Sequence, residues 1–201
     1  MLEMIIKGGV VMVPIGICSV VALAIIIERI WALRRGRVIP ERAVKEISTL
    51  VRRGELDRAM AVCVQCDCTY GRIVLSGLRL AGERRSVIKE AVEECGRIEV
   101  IHLERYLTLL GTIAAIAPLL GLLGTVTGMI DVFSVISVQG VGDPGALAGG
   151  IGEALYTTVG GLVVAIPALA FHRYFNRTID RHVAELEQFT LTVVEHIKSE
   201  N

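Results

Sequence analysis

The chain has 201 residues, of which 53% are hydrophobic and only 4% aromatic, and its 21 Lys and Arg balance 21 Asp and Glu. No nucleic acid is expected as a partner. The averages conceal a segregation that excludes an ordinary soluble domain: residues 8–27, 106–130 and 154–172 contain no Asp, Glu, Lys or Arg at all.

Each charge-free window approaches the roughly 20 residues that an α-helix needs to cross a hydrocarbon core about 30 Å thick. The expected fold is an all-α integral membrane protein with three transmembrane helices. Long helices extend into the cytoplasm, beside a small helical cytoplasmic subdomain. Residues 1–9 form a short N-terminus and 10–30 the first span. This span lacks a basic n-region and an A-x-A-like cleavage site, so it reads as an uncleaved anchor. Sixteen Lys and Arg lie between the charge-free windows 8–27 and 106–130, among them Arg29, Arg34, Arg35, Arg37 and Arg42. Arg173, Arg177 and Arg181 follow the third span, while 131–153 has no basic residue and carries Asp131, Asp143 and Glu153. The positive-inside rule then puts the N-terminus and the acidic connection outside, and the large loop and C-terminus in the cytoplasm.

Residues 31–105 read as a helical loop and stalk. Apolar residues Val44, Ile47, Leu50 and Val51 are helically spaced up to Gly54, and 55–64 and 70–81 read as two further short helices. From Val87 through Ile88, Ala91, Val92, Cys95, Ile98 and Ile101 the helical period continues without a Gly or Pro break, so stalk and second span are expected to form one rod. The second span covers 106–138 and carries Pro118. The glycine-rich segment 139–152 reads as the turn of a hairpin. It is no nucleotide-binding loop, because neither a preceding strand nor a GK[ST] element accompanies it. The third span is 153–172, and 173–201 forms a C-terminal helix. The stripe Phe175, Ile179, Val183, Leu186, Val193 and Ile197 on that helix needs a partner in this chain or in a neighbouring copy.

The hairpin holds the candidate site. Gly121, Gly124, Gly128, Gly160 and Gly161 are read as helix-packing positions, since small residues let backbones approach within a bilayer. Glu153 and Thr157 stand at i and i+4 on one helix, with Thr158 adjacent. Thr125 lies six residues before Asp131 and Thr158 five after Glu153, which places both hydroxyls about 8 Å inside the outer ends of antiparallel spans. Thr125, Thr158, Glu153 and Thr157 are the candidate lining of a proton pathway. The alternative is plainer: threonines bond the carbonyl of the preceding turn, and a glutamate at a span's end sits in headgroup water. Neither apolar window contains a carboxylate, so any acid that carries protons at mid-membrane must come from another chain.

Cys63, Cys66 and Cys68 form C-x2-C-D-C, which as a metal site would need Cys95 or His102 as a fourth ligand. The two separated ligand pairs usual for zinc are missing. The expectation is no metal and no cofactor, with Cys63 and Cys66 as small apolar residues of a short helix. No disulfide is expected in a cytoplasmic loop. His102, His172, His182 and His196 are expected to cover surfaces. No nucleophile and base pair is evident, and the chain is not expected to be an enzyme.

The segments APLLGLLGTVTGMI and GGIGEALYTTVGGLVVAIPAL, in a three-span order with a large cytoplasmic loop, closely resemble the ExbB/TolQ proteins of the MotA/TolQ/ExbB proton-channel family. The likeness is strongest over 106–177. Before it, only the span order and RRGELDRAMAVC agree. The flagellar MotA branch generally has four spans, so three favour the ExbB/TolQ side. The resemblance implies a homopentamer in lipid whose second and third spans line a pore. Single-span ExbD- or TolR-like partners would occupy that pore, and an aspartate on the partner helix would carry the proton. It also implies a TonB- or TolA-like transducer that conveys work to the outer membrane. By the same resemblance Thr125 and Thr158 match pore-facing threonines, Glu153 matches the acid at the outer start of the third span, and Thr157 stands where many relatives have alanine. A TolQ-type envelope subunit, a motility motor subunit and a non-conducting membrane scaffold remain alternatives.

Overall fold

A computed structural model describes residues 9–139 and 144–197. The N-terminal residues 1–8, residues 140–143 of the expected turn, and the last four residues of the expected C-terminal helix lie outside the described residues. Of the described residues 88% are helical and none is in a strand. Among them, three helices are long and apolar enough to cross a membrane.

The order is α1 (Met12–Ala32), α2 (Arg35–Val38), α3 (Glu41–Arg52), α4 (Leu56–Cys66), α5 (Thr69–Leu78), α6 (Arg85–Leu103), α7 (Leu107–Gln139) and α8 (Pro144–Ile197). α3, α4 and α5 lie close to the segments that the apolar spacing marks out, with Gly54 and Gly82 at φ +73° and +98° after α3 and α5, whereas α2 lies in a segment where no helix was expected. α8 begins at Pro144, whose fixed φ suits the first helical position. Residues 144–152 of the expected turn are therefore helical.

The expected single rod is broken. α6 ends at Leu103, Tyr106 takes a left-handed φ of +64°, and α7 starts at Leu107. No Gly or Pro marks this interruption. Part of its cause is tertiary: the buried Arg29 guanidinium donates to the carbonyl oxygens of Leu103 (2.9 Å) and His102 (3.5 Å). The His102 carbonyl also accepts the Arg105 N–H at 3.4 Å, and a cation at a helix C-terminus is favourable.

The chain forms two compact units. The first takes residues 1–28 and 106–174. Here α7 and α8 run antiparallel: a Cβ on Gly128 would meet Ala154, one on Gly121 would meet the backbone of Thr157 and Thr158, and one on Gly161 would meet the carbonyl of Ala117. At the two ends, the ring of His172 covers Gly111, and Val132 faces Gly150. Residues 111–132 thus pair in register with 172–150, a contact about 32 Å long at 1.5 Å per residue. Met12 of α1 packs on Gly160. Large apolar side chains cover the outside instead, among them Val20, Leu23, Leu119, Leu122, Phe133, Val163 and Ile166. Such an apolar exterior suits lipid rather than water.

The second unit takes residues 29–105 and 175–201. Ala43, Ile47 and Val51 bury one face of α3, and Ile73, Val74 and Leu78 one face of α5. α5 lies on α6, where a Cβ on Gly77 would stand 2.8 Å from Val92 Cγ2. The C-terminal stripe finds much of its cover within the unit: Phe175, Ile179, Leu186 and Val193 are buried, and Phe189 meets Tyr70 edge to face with centroids 6.4 Å apart. Arg72 forks onto the buried Glu99 through two 2.7 Å bonds, tying α5 to α6. His182 departs from its expected surface role. It is buried, with Nε2 donating to the Leu33 carbonyl at 3.0 Å.

Candidate functional site

The closeness of α7 to α8 follows from the small residues at the contact. Gly121, Gly124 and Gly128 on α7 are spaced by three and four residues and occupy one face. Gly161 and Ala154 on α8 meet that face, and no side chain holds the helices apart. The absent side chains at Gly121 and Gly161 leave a backbone carbonyl within reach of hydroxyls on the opposite helix.

That carbonyl is Gly121 O. Thr157 Oγ1 and Thr158 Oγ1, both on α8, each lie 3.1 Å from it, and Thr125 Oγ1 from its own helix lies 3.3 Å away. Thr125 and Thr158 are also directly bonded, Oγ1 to Oγ1 at 3.0 Å. The two hydroxyls therefore lie at one level of the hairpin. Each hydroxyl has one proton and two lone pairs, so the pair has two consistent arrangements. Either Thr125 donates to Thr158, which donates to Gly121 O, or Thr158 donates to Thr125, which donates to Leu122 O at 2.8 Å. A concerted rotation of the two hydroxyls exchanges these states without breaking the helix contact.

Thr157 sits differently. It is 2% exposed and bonds the Ala154 carbonyl at 2.6 Å as well as Gly121 O. Its side chain fills the space that Gly124 leaves empty. Thr125 and Thr158 are only partly buried. Although Glu153 and Thr157 are one turn apart, Thr157 is enclosed against α7 while Glu153 is exposed, with its carboxylate about one contact distance from Gly9: a Cβ there would lie 3.8 Å from Oε1. The geometry joins Thr125, Thr157 and Thr158 around one acceptor and leaves Glu153 apart. Gly121 O was not among the expected site atoms. Its only sequence signal is a glycine four residues before a threonine, which permits a bond from another helix but does not demand one.

Chemically, hydroxyls and a carbonyl can pass hydrogen bonds and solvate a cation, but threonine hydroxyls do not hold a charge near neutral pH. The site can conduct or position a proton and cannot store it.

In the second unit, Cys63 is buried, and burial pushes its thiol up to about 11. Cys66 and Cys68 are joined as a disulfide, which overturns the expectation that the loop carries none. The left-handed turn at Asp67, φ +41°, brings their Cα atoms to 5.3 Å, within the span of such a bond. Among the described residues no group of three or more His, Cys, Asp or Glu is placed to hold a metal.

Comparison with known proteins extends the likeness beyond the hairpin. The chain is 35% identical over 185 residues to a Synechocystis protein named ExbB-like 3, covering 91% of this chain and 88% of that one. It is 31% identical over 187 residues to an ExbB homolog of Methanothermobacter thermautotrophicus, covering 92% of this chain and 66% of that protein. With the biopolymer transport protein exbB1 of Vibrio cholerae it shares 48% identity over 84 residues, 41% of this chain and 36% of that one. Residues 67–188, which include α5 to α7 and most of α8, match the model of the MotA/TolQ/ExbB proton channel family. This chain belongs to that family.

Proposed function

We propose that this chain is the ExbB/TolQ-type subunit of a proton-driven motor in a bacterial inner membrane. It assembles as a homopentamer, and α7 and α8 line a pore around single-span ExbD/TolR-like helices. A partner aspartate carries the proton past Thr125 and Thr158, and the resulting motion energises outer-membrane transport through a TonB-like transducer. The N-terminus and the acidic connection face the periplasm. The basic loop, with Trp31 stacked under Arg37 at 3.5 Å, lies at and beyond the cytoplasmic interface.

One observation carries this reading. Two partly buried hydroxyls form a hydrogen-bonded pair over a carbonyl, between stretches 106–130 and 154–172 that contain no acid. A titrating carboxylate from another chain, placed beside such a pair, would exchange its proton with a polar lining while lipid and water stay excluded. Thr157 supports the packing of that lining. Glu153, at the outer end of α8, serves as an entry group for cations. The role is non-enzymatic.

The test is proton flux into vesicles containing this chain and its single-span partner. Thr158→Val keeps the shape but removes the hydroxyl, and flux is expected to fall at least about tenfold, the scale on which losing one transition-state hydrogen bond of about 1.4 kcal/mol acts. Thr158→Ser should retain most of it. Wild-type flux in Thr158→Val and Glu153→Gln together would remove the site. No flux from the intact wild-type pair would leave only a membrane scaffold.

A further inference from the structure

The family role makes no use of C-x2-C-D-C, yet the structure spends three sulfurs within a single corner between α4 and α5. We propose that Cys66 and Cys68 form a reversible dithiol–disulfide site, a modification site for low-molecular-weight and protein thiols. The inference goes beyond the proton-motor reading. It borrows only the cytoplasmic placement of the loop, which decides the thiol that the site meets in the cell.

The geometry accommodates both redox states. In the oxidised state the two sulfurs are bonded across the left-handed Asp67. On reduction each sulfur already has a partner. Cys66 Sγ lies 3.5 Å from the Cys63 carbonyl, which a free thiol there would use as acceptor. Cys68 is the N-cap of α5, and its sulfur accepts the Gly71 N–H at 3.3 Å. A thiolate released there faces the positive end of a ten-residue helix, which favours negative charge and makes Cys68 the better leaving group. Asp67 opposes that charge, but Arg72 stands 3.2 Å from its carboxylate and offsets it. The exposures are unequal as well: Cys66 is half-buried and Cys68 only 2% exposed. An incoming thiolate therefore reaches Cys66.

The exchange balances. A glutathione thiolate attacks Cys66 Sγ, forming a mixed disulfide as the Cys66–Cys68 bond breaks and Cys68 leaves as a thiolate. A second glutathione thiolate attacks the glutathione sulfur of that mixed disulfide. Oxidised glutathione departs, and Cys66 takes a proton from water. Two glutathione molecules supply the two electrons, and oxidised glutathione drives the reverse sequence. Disulfides of cytosolic proteins, where they occur, are mostly transient and redox-sensing, which fits exchange better than a permanent staple. Cys63 stays outside the couple as a buried thiol held protonated by its surroundings.

The experiment uses the full chain in detergent, so the result does not depend on membrane orientation. The protein is equilibrated across ratios of reduced to oxidised glutathione, quenched in acid, and alkylated after denaturation. The tryptic peptide from Ala59 to Arg72 is then read by mass spectrometry. In that peptide one alkylated cysteine, Cys63, is expected at the oxidising end against three at the reducing end, and the same curve should be traced in both directions. Cys63→Ala should leave the curve in place, and Cys66→Ser should abolish it while the helical circular dichroism is retained. Three free thiols in the peptide at every ratio, a bond that survives every ratio, or a pairing through Cys63 would each overturn the proposal.

Discussion

A methyl group on Gly124 would stand 2.5 Å from Thr157 Cβ, closer than any real contact allows. Gly124→Ala is therefore expected to cost about 1–3 kcal/mol of stability through overpacking. Thr157→Gly removes that Cβ with the rest of the side chain, so the double substitution should be less damaging than the sum of the two single ones, with a coupling of about 0.5–3 kcal/mol measured by thermal unfolding in detergent. Independent, additive losses would show that Thr157 is not what excludes a side chain at Gly124. Cys63 supports a second expectation at this scale. Its thiol is raised from 9.0 to about 11 by burial, so across that window the folded chain holds a proton that the unfolded chain releases. The folded state binds more protons there, and stability falls as pH rises from about 9 to 11 while being fully present below. Tyr70, raised by burial and by Cys63 beside it, adds a fall of the same sign at higher pH. Melting curves from pH 8 to 11 should show the slope, and Cys63→Ala should remove its lower part.

At the scale of elements, the C-terminal end of α6 is served by a residue from another helix. Arg29, 4% exposed, serves the end of α6 through the Leu103 and His102 carbonyls. Arg29→Met keeps the aliphatic bulk and leaves the buried Leu103 carbonyl without this donor, at an expected cost of about 1–3 kcal/mol. Arg29→Lys should lose less. A melting temperature unchanged in Arg29→Met would show that water or neighbouring groups replace the guanidinium. The three short helices α3 to α5 were legible beforehand because Gly54, the CDCTYG segment and Ala81-Gly82 punctuate clear apolar periods. The break at Tyr106 was not, because a tyrosine in left-handed backbone leaves no sequence mark. Its cause includes a side chain 74 residues distant in sequence.

For the whole molecule, the distribution of charge predicts sidedness that labelling can test. In a background without native cysteines, Ser134→Cys should react with a membrane-impermeant maleimide on spheroplasts, whereas Ser48→Cys in the basic loop should react only after lysis. The opposite pattern would invert the topology and remove the reason for placing Glu153 at a periplasmic entrance. Both positions are at or near the surface of the fold, which makes labelling a measure of sidedness rather than of burial.

Charge-free windows, their lengths and the basic flanks were enough to specify three apolar helices, because the bilayer imposes one length and one polarity on any helix that crosses it. The hairpin's small residues likewise announced close packing before any coordinates. Its partner atoms were a different matter. That Thr157 turns inward while Thr158 meets Thr125, that both α8 hydroxyls converge on Gly121 O, and that Asp67 folds two cysteines together all depend on helix rotation and register. Periodicity specifies which face of a helix is small or polar. Only the packed tertiary structure decides which atom on the opposing helix that face meets.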